Sequence, residues 1–326
     1  MNATYRTFFL VMGGLLLLTS TALAEEQTPT PHVGSPMVIS NAGPAGGTLP
    51  AGVLALMLNY THSNKDGWYD NGSRHTATSP LSRATQRNMQ DVYVAKLRYG
   101  LGNNWDIRSA TAFVHNDFKG EATLAPATSK KGVSDTLLVA HKQFMSQSEG
   151  APLDLAFGLG GQIPTGSTDA DAVGTGAWGL LGELGATYAF DNGRQVVEAE
   201  LIYLWRGKGG KKSLDTYVDA NDFLRFNSRY VFALNEYWDL GVESQYEYIT
   251  ASRLRGHSQH NASHAWFAGP AVTLKIPDWQ ATLGLTAQFS LYQDYDSKTP
   301  LGGRDYPNAA SLGERFRLEA TLTKAF

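Results

Sequence analysis

The feature that most constrains this chain is an alternation that recurs in twelve segments. In the last of them Leu312, Phe316, Leu318, Ala320, Leu322 and Phe326 share one side when every second residue is read, with Glu314 and Lys324 near the ends. Arg315, Arg317, Glu319, Thr321 and Thr323 share the other. Side chains alternate sides along a β-strand, so this is a strand with one apolar and one polar face. The same period predicts strands at about 51–62, 89–101, 104–116, 133–146, 151–163, 177–190, 194–206, 222–234, 237–250, 265–276 and 279–292.

The connections alternate between short and long. Gly102-Asn103-Asn104, Gln147-Ser148-Glu149-Gly150, Asp191-Asn192-Gly193, Asn235-Glu236 and Pro277-Asp278 read as tight turns. Between them lie polar loops at 63–87, 117–132, 164–176, 207–221, 251–264 and 293–311. An even strand number with this spacing predicts an all-β fold, a transmembrane antiparallel β-barrel with short periplasmic turns and long extracellular loops. Each segment exceeds the roughly 9–11 residues that cross a bilayer at a tilt. Trp105, Trp238 and Trp279 follow short turns, while Trp178, Trp205 and Trp266 lie at loop-side ends, which makes two aromatic girdles. Trp68 falls in the first long loop. A secreted β-sandwich explains the alternation but neither the two tryptophan levels nor the terminal Phe326.

The N-terminus reads as a targeting segment. Arg6 precedes the apolar run Phe8–Leu18, and Ala22-Leu23-Ala24 is a small-x-small cleavage signal, so residues 1–24 are expected to be a signal peptide removed after Ala24. That run is too short for a spanning helix, which needs roughly 20 residues. Residues 25–50 hold Pro29, Pro31, Pro36, Pro44 and Pro50 and read as a periplasmic lead-in without regular structure, with a place inside the lumen as the alternative. Residues 51–326 form the expected barrel.

Composition excludes several classes. Charged residues are 17%, below the roughly 25% of an average soluble protein. There is no cysteine, hence no disulfide, thiolate nucleophile or lipoprotein anchor. A net charge of −3 gives no footprint for nucleic acid. Phosphate-loop, zinc and catalytic-triad signatures are missing from the sequence, so neither cofactor nor metal is expected.

If the apolar faces meet lipid, the other faces line the lumen. The candidate pore-lining residues are Lys96, Arg98, Arg108, Glu183, Glu198, Glu200, Arg225, Arg229, Glu243, Glu247, Arg315, Arg317 and Glu319. Two readings stay open: a salt-bridge lattice that stiffens a closed wall, and a narrow pore whose charges set selectivity. A third function, an outer-membrane lipid hydrolase, needs a serine and a histidine base in reach on the outer wall. A hairpin centred near residue 125 would set Ser109 opposite His141. His257, His260 and His264 read as a polar loop rather than a metal site. Arg206, Lys208, Lys211 and Lys212 form a basic rim suited to lipopolysaccharide phosphates. Asp169 and Asp171, like Asp294 and Asp296, have the spacing of calcium ligands without the rest of the set.

Several short motifs occur in a fixed order. Gly47-Thr48-Leu49-Pro50-Ala51-Gly52 leads into the first strand, and Tyr99-Gly100-Leu101-Gly102-Asn103-Asn104-Trp105-Asp106-Ile107 spans the first turn. Gly132-Val133-Ser134-Asp135-Thr136 opens the fourth strand, with Lys142 later in it, and Ile163-Pro164-Thr165-Gly166 ends the fifth. This run resembles the outer-membrane family named for the MetA pathway of phenol degradation, most clearly over 47–190. Gly132-Val133-Ser134-Asp135 is looser than the family's Gly-x-Gly-Asp. The resemblance implies a channel or porin-like barrel for passive uptake of small molecules, aromatic or hydrophobic ones included. It transfers no binding residue. The expected surroundings are outer-membrane lipid and lipopolysaccharide, with the barrel-assembly machinery reading the last strand and Phe326.

Overall fold

The computed structural model describes residues 44–76, 87–119, 129–166, 173–211, 216–254, 257–260, 262–295, 298–301, 304–307 and 313–326. Among these, twelve long strands form one antiparallel barrel: β1 (Leu54–Asp70), β2 (Arg87–Gly102), β3 (Trp105–Lys119), β4 (Thr136–Met145), β5 (Asp154–Ile163), β6 (Gly179–Phe190), β7 (Gln195–Arg206), β8 (Phe223–Ala233), β9 (Trp238–Ile249), β10 (Ser263–Ile276), β11 (Ala281–Tyr295) and β12 (Gly313–Ala325). Each pairs with its chain neighbours, and β1 pairs with both β2 and β12, so the sheet closes without an edge. Leu97, Tyr99, Leu101, Leu240, Val242, Leu283 and Leu285 are exposed on the outer wall. Such a surface is stable only against lipid, and closure satisfies the backbone there.

The tight turns follow from residues that tolerate positive φ. Gly102, Asn103 and Asn104 take φ of 82°, 51° and 60°, and Asp191, Asn192 and Gly193 take 52°, 53° and 80°. Asn and Gly reach this region at little steric cost. The six girdle tryptophans are all exposed, at 41, 41 and 67% for Trp105, Trp238 and Trp279 and at 66, 51 and 37% for Trp178, Trp205 and Trp266.

Five expectations need correction. The first strand does not stop near residue 62; it runs to Asp70 and pairs with Ser73–Thr76 in a hairpin. The fourth is two pieces, Ser129–Val133 and Thr136–Met145, with Ser134 and Asp135 between them. Register places Ser109 opposite Leu138 and His141 opposite Asp106, so the serine and histidine are three positions out of step. His264 belongs to β10 and not to a loop. Finally, Arg315 does not line the lumen. Ser63 pairs with Arg317 but Lys65 pairs with Glu314, which leaves one extra residue in β12. A bulge of this kind reverses the sides of the residues beyond it. Glu314 is therefore buried and Arg315 exposed.

Loops expected to be irregular carry short strands. Lys208–Lys211, Thr216–Asp219, Ser252–Leu254 and His257–His260 form a separate four-stranded sheet. The expected signal peptide at residues 1–24, residues 25–43, Asp169, Asp171, Lys212 and Asp296 lie outside the described residues, as do the side chains of Trp68, Lys211, His257 and His260.

Candidate functional site: the lumen

The short segment ahead of β1 occupies the periplasmic end of the lumen. Ala45 N–H donates to Glu198 Oε1 at 3.2 Å and Gly46 N–H to Thr187 Oγ1 at 3.0 Å. Thr48 N–H donates to Gln143 Oε1 at 3.1 Å and Leu49 N–H to Asp106 Oδ2 at 3.2 Å. In return Arg98 donates to the carbonyls of Pro44, at 3.2 Å, and Gly47. Within the segment Gly47 N–H reaches the Pro44 carbonyl at 3.4 Å, and inward side chains supply the other partners. Two glycines make room. A Cβ on Gly100 would lie 1.9 Å from the Pro50 carbonyl oxygen, and one on Gly185 would lie 2.0 Å from that of Ala45.

Beneath and beside this peptide lies a tight charge cluster. Arg98 Nε donates to Asp106 Oδ2 at 2.7 Å, with both side chains almost fully buried. Arg108 meets the other oxygen of Asp106 at 3.3 Å. Its Nη2 also lies 3.0 Å from His141 Nδ1. A guanidinium only donates, so this His141 nitrogen must accept and its proton sits on Nε2. Nε2 in turn points to Glu183, 3.7 Å away. His141 is therefore a buried lumenal group, not an outward catalytic base.

Above the cluster the lumen opens into a cavity of about 810 Å³. Seven cations and seven carboxylates line it: Lys65, Lys96, Arg108, Arg206, Arg225, Arg229 and Arg317 against Glu183, Glu198, Glu200, Glu243, Glu247, Glu314 and Glu319. The total is balanced, so any selectivity depends on where each charge stands. Arg225 and Arg229 face Glu247 and Glu243 across β8 and β9, at 3.0 and 3.1 Å. Arg317 reaches Glu247 at 3.2 Å and Glu314 at 2.5 Å and lies over the Phe267 ring. Arg108 stands 3.6 Å from Glu183 and 3.8 Å from Glu200. Those gaps exceed a direct hydrogen bond and suit bridging by water.

All the predicted lining residues except Arg315 are thus inward, with Arg98 sealed under the peptide. Arg206 also faces inward, donating to Gln162 Oε1 at 2.8 Å, and does not belong to an outer rim. The lumenal place of residues 45–49 matches the alternative that the sequence left open, whereas two features escaped sequence reasoning: Glu314 and an apolar patch on the inner wall. Val139, Leu181 and Leu204 pack there with Leu137, Ile202 and Phe223. The alternation hid this patch, because β4, β6 and β7 carry apolar residues on both faces. Asp135, within the motif that opens the fourth strand, ties it to the motif that ends the fifth, taking hydrogen bonds from Gly166 N–H at 3.0 Å and from Thr175 N–H at 2.8 Å.

The family model described as "Putative MetA-pathway of phenol degradation" matches residues 66–313. The chain belongs to this family. It covers most of the barrel, including the strands that carry the two arginine–glutamate pairs. The crystal structure of an outer membrane channel from Pseudomonas putida F1 superposes with a TM-score of 0.60 at 14% identity, over 92% of this chain and 100% of that one. This likeness shows the fold. A Pseudomonas aeruginosa FadL homologue is more distant, with a TM-score of 0.41 and 9% identity over 88% of this chain and 94% of that one. No curated protein matches.

Proposed function

We propose that this chain is an outer-membrane channel that admits small molecules passively, aromatic or hydrophobic ones included. The observation that carries this reading is the lumen's division into a charged wall and an apolar patch around one cavity. A water-filled charged wall passes polar groups, and the Val139–Leu181–Leu204 patch receives a flat apolar one without desolvating a charge. The signal peptide cleaved after Ala24 and assembly through the strand ending in Phe326 belong to the same reading. So does a setting in lipopolysaccharide-bearing outer membrane.

Planar-bilayer recording of the purified, folded protein is the test. Discrete conductance steps are expected, with ion selectivity that shifts when Arg225→Glu or Arg229→Glu reverses a wall charge. Flux of a small aromatic solute into proteoliposomes should fall in Leu181→Asp while conductance persists. Complete absence of steps would favour the second reading, a closed structural or surface-interaction barrel, which the peptide across the periplasmic mouth supports.

A further inference from the structure

The cavity arginines differ in how much of their donor capacity the wall uses. Arg317 meets Glu314 and Glu247, Arg229 meets Thr273 and Glu243, and Arg108 meets Asp106 and His141. Their side chains are 11, 8 and 10% exposed. Arg225 is 36% exposed. Among the described residues it makes one hydrogen bond, from Nη2 to Glu247 Oε1 at 3.0 Å, and its Nε has no acceptor. A guanidinium carries five N–H donors, so most of this one is unused.

Glu247 does not depend on Arg225. The same Oε1 accepts from Arg317 Nη1 at 3.2 Å and from Gln245 Nε2. Three donors crowd an oxygen that has two lone pairs. The other carboxylates nearby have partners too. Glu183, on the far side of Ile202 in register, stands 3.6 Å from Arg108, and Glu200 accepts from Asn227 at 3.1 Å. Arg225 is the arginine that this wall can spare.

Its position adds a second requirement. The guanidinium lies over the Phe223 ring, 4.7 Å from the ring centre. On the neighbouring strand Ile202 stands opposite Arg225, and Leu204 opposite Phe223. These residues belong to the apolar patch, where Leu137, Ile202 and Phe223 are half-buried against Val139, Leu181 and Leu204. All six line the same cavity as Arg225. A cation with unused donors therefore stands at the edge of an apolar surface.

We infer that Arg225 and this patch form a subsite for small carboxylates with an aromatic or aliphatic body. The inference rests on the channel reading and names its solute class. The planar guanidinium fork matches the two oxygens of a carboxylate, in charge-assisted hydrogen bonds. The body of the solute covers hydrocarbon, so no wall charge loses water without gaining a partner. A neutral aromatic solute leaves the Arg225 donors unused, and a small polar anion leaves the patch bare.

The test measures binding to the full-length folded protein in detergent by equilibrium dialysis, with benzoate, benzyl alcohol and acetate. Benzoate carries both features, and each of the others carries one. Benzoate should bind about tenfold more tightly than either, the size expected of one charge-assisted hydrogen bond or one ring removed from water. Arg225→Gln should lower benzoate to the level of benzyl alcohol and leave benzyl alcohol within about twofold of the parent. If that variant does not fold, photolabelling of the parent with para-azidobenzoate serves instead, and the label should map to β7 and β8. Equal binding of benzoate and benzyl alcohol, a preference retained in Arg225→Gln, or label confined to other strands overturns the subsite. Equal binding of acetate and benzoate overturns the patch as its apolar half. Dialysis needs no conduction, so a parent that binds benzoate yet shows no conductance steps would sink the channel reading and leave the subsite in place.

Discussion

The two ends of the lumen use the same wall chemistry to opposite effect. At the periplasmic end Arg98 and Asp106 are 1 and 0% exposed, touch at 2.7 Å, and share their remaining valences with a peptide. Toward the loops Arg225 is 36% exposed and pairs with Glu247 at the margin of an open cavity. Both ends pair arginine with carboxylate on neighbouring strands, diagonally for Arg98 and Asp106 and directly opposite for Arg225 and Glu247. The difference is the peptide, which displaces water at one end only. Where water is gone each charge needs a direct partner, and the attraction is strong because the medium is less polar. Where water remains, the same pairs are looser and free to meet a solute.

The largest test of this contrast is Asp106→Ala. It removes the partner of Arg98, one partner of Arg108 and the acceptor of Leu49 N–H, so a buried cation is stranded. Unfolding in urea should show a loss of about 3–5 kcal/mol, whereas an exposed pair would lose far less. A loss below about 1 kcal/mol would erase the distinction between the two ends.

Next, Gly100→Leu and Gly185→Leu place a side chain where the backbone of residues 45–50 now lies. Overpacking of this kind costs about 1–3 kcal/mol. Conductance should rise as the peptide is displaced, matching a deletion of residues 25–50. An unchanged conductance in the deletion would show that the peptide does not limit flow.

Glu247→Gln loosens the open end, where Arg225 and Arg317 both meet this carboxylate. Stability should fall by about 1–3 kcal/mol, and reversal potentials should move toward anion preference. A shift toward cations would contradict the placement of Glu247 in the pore wall. The smallest effect is expected of Arg315→Ala, within about 0.5 kcal/mol of the parent and without change in conductance. Arg317→Ala, two residues on, should change both. Equal effects from the pair would remove the bulge.

These corrections have a common origin. Strand positions and tight turns were legible because they depend on neighbours in sequence: period-two alternation, and Asn or Gly where φ is positive. That Arg225 and Arg229 stand on the strand next to Glu243 and Glu247 was legible too, but their register was not: a two-residue turn at Asn235-Glu236 would set Arg225 opposite Tyr246, whereas the observed connection pairs Ala233 with Asp239 and so Arg225 with Glu247. The Ser109–His141 opposition failed because a long connection separates β3 from β4, and Ser134–Asp135 break the pairing between the Ser129–Val133 piece and β4. Arg315 failed because one extra residue in β12 is set by its fit against β1, which lies some 250 positions earlier.

What the sequence by itself determined is the barrel: twelve alternating strands, two aromatic levels, and inward faces that carry charge. These are properties of short segments and survive without knowing what lies opposite. The tertiary structure decided which charges are sealed and which meet a cavity. Ala45 bonds Glu198, 153 positions away, and Leu49 bonds Asp106, 57 positions away. No local pattern encodes such a contact, because it forms only once the closed wall offers the peptide a set of partners in place of water.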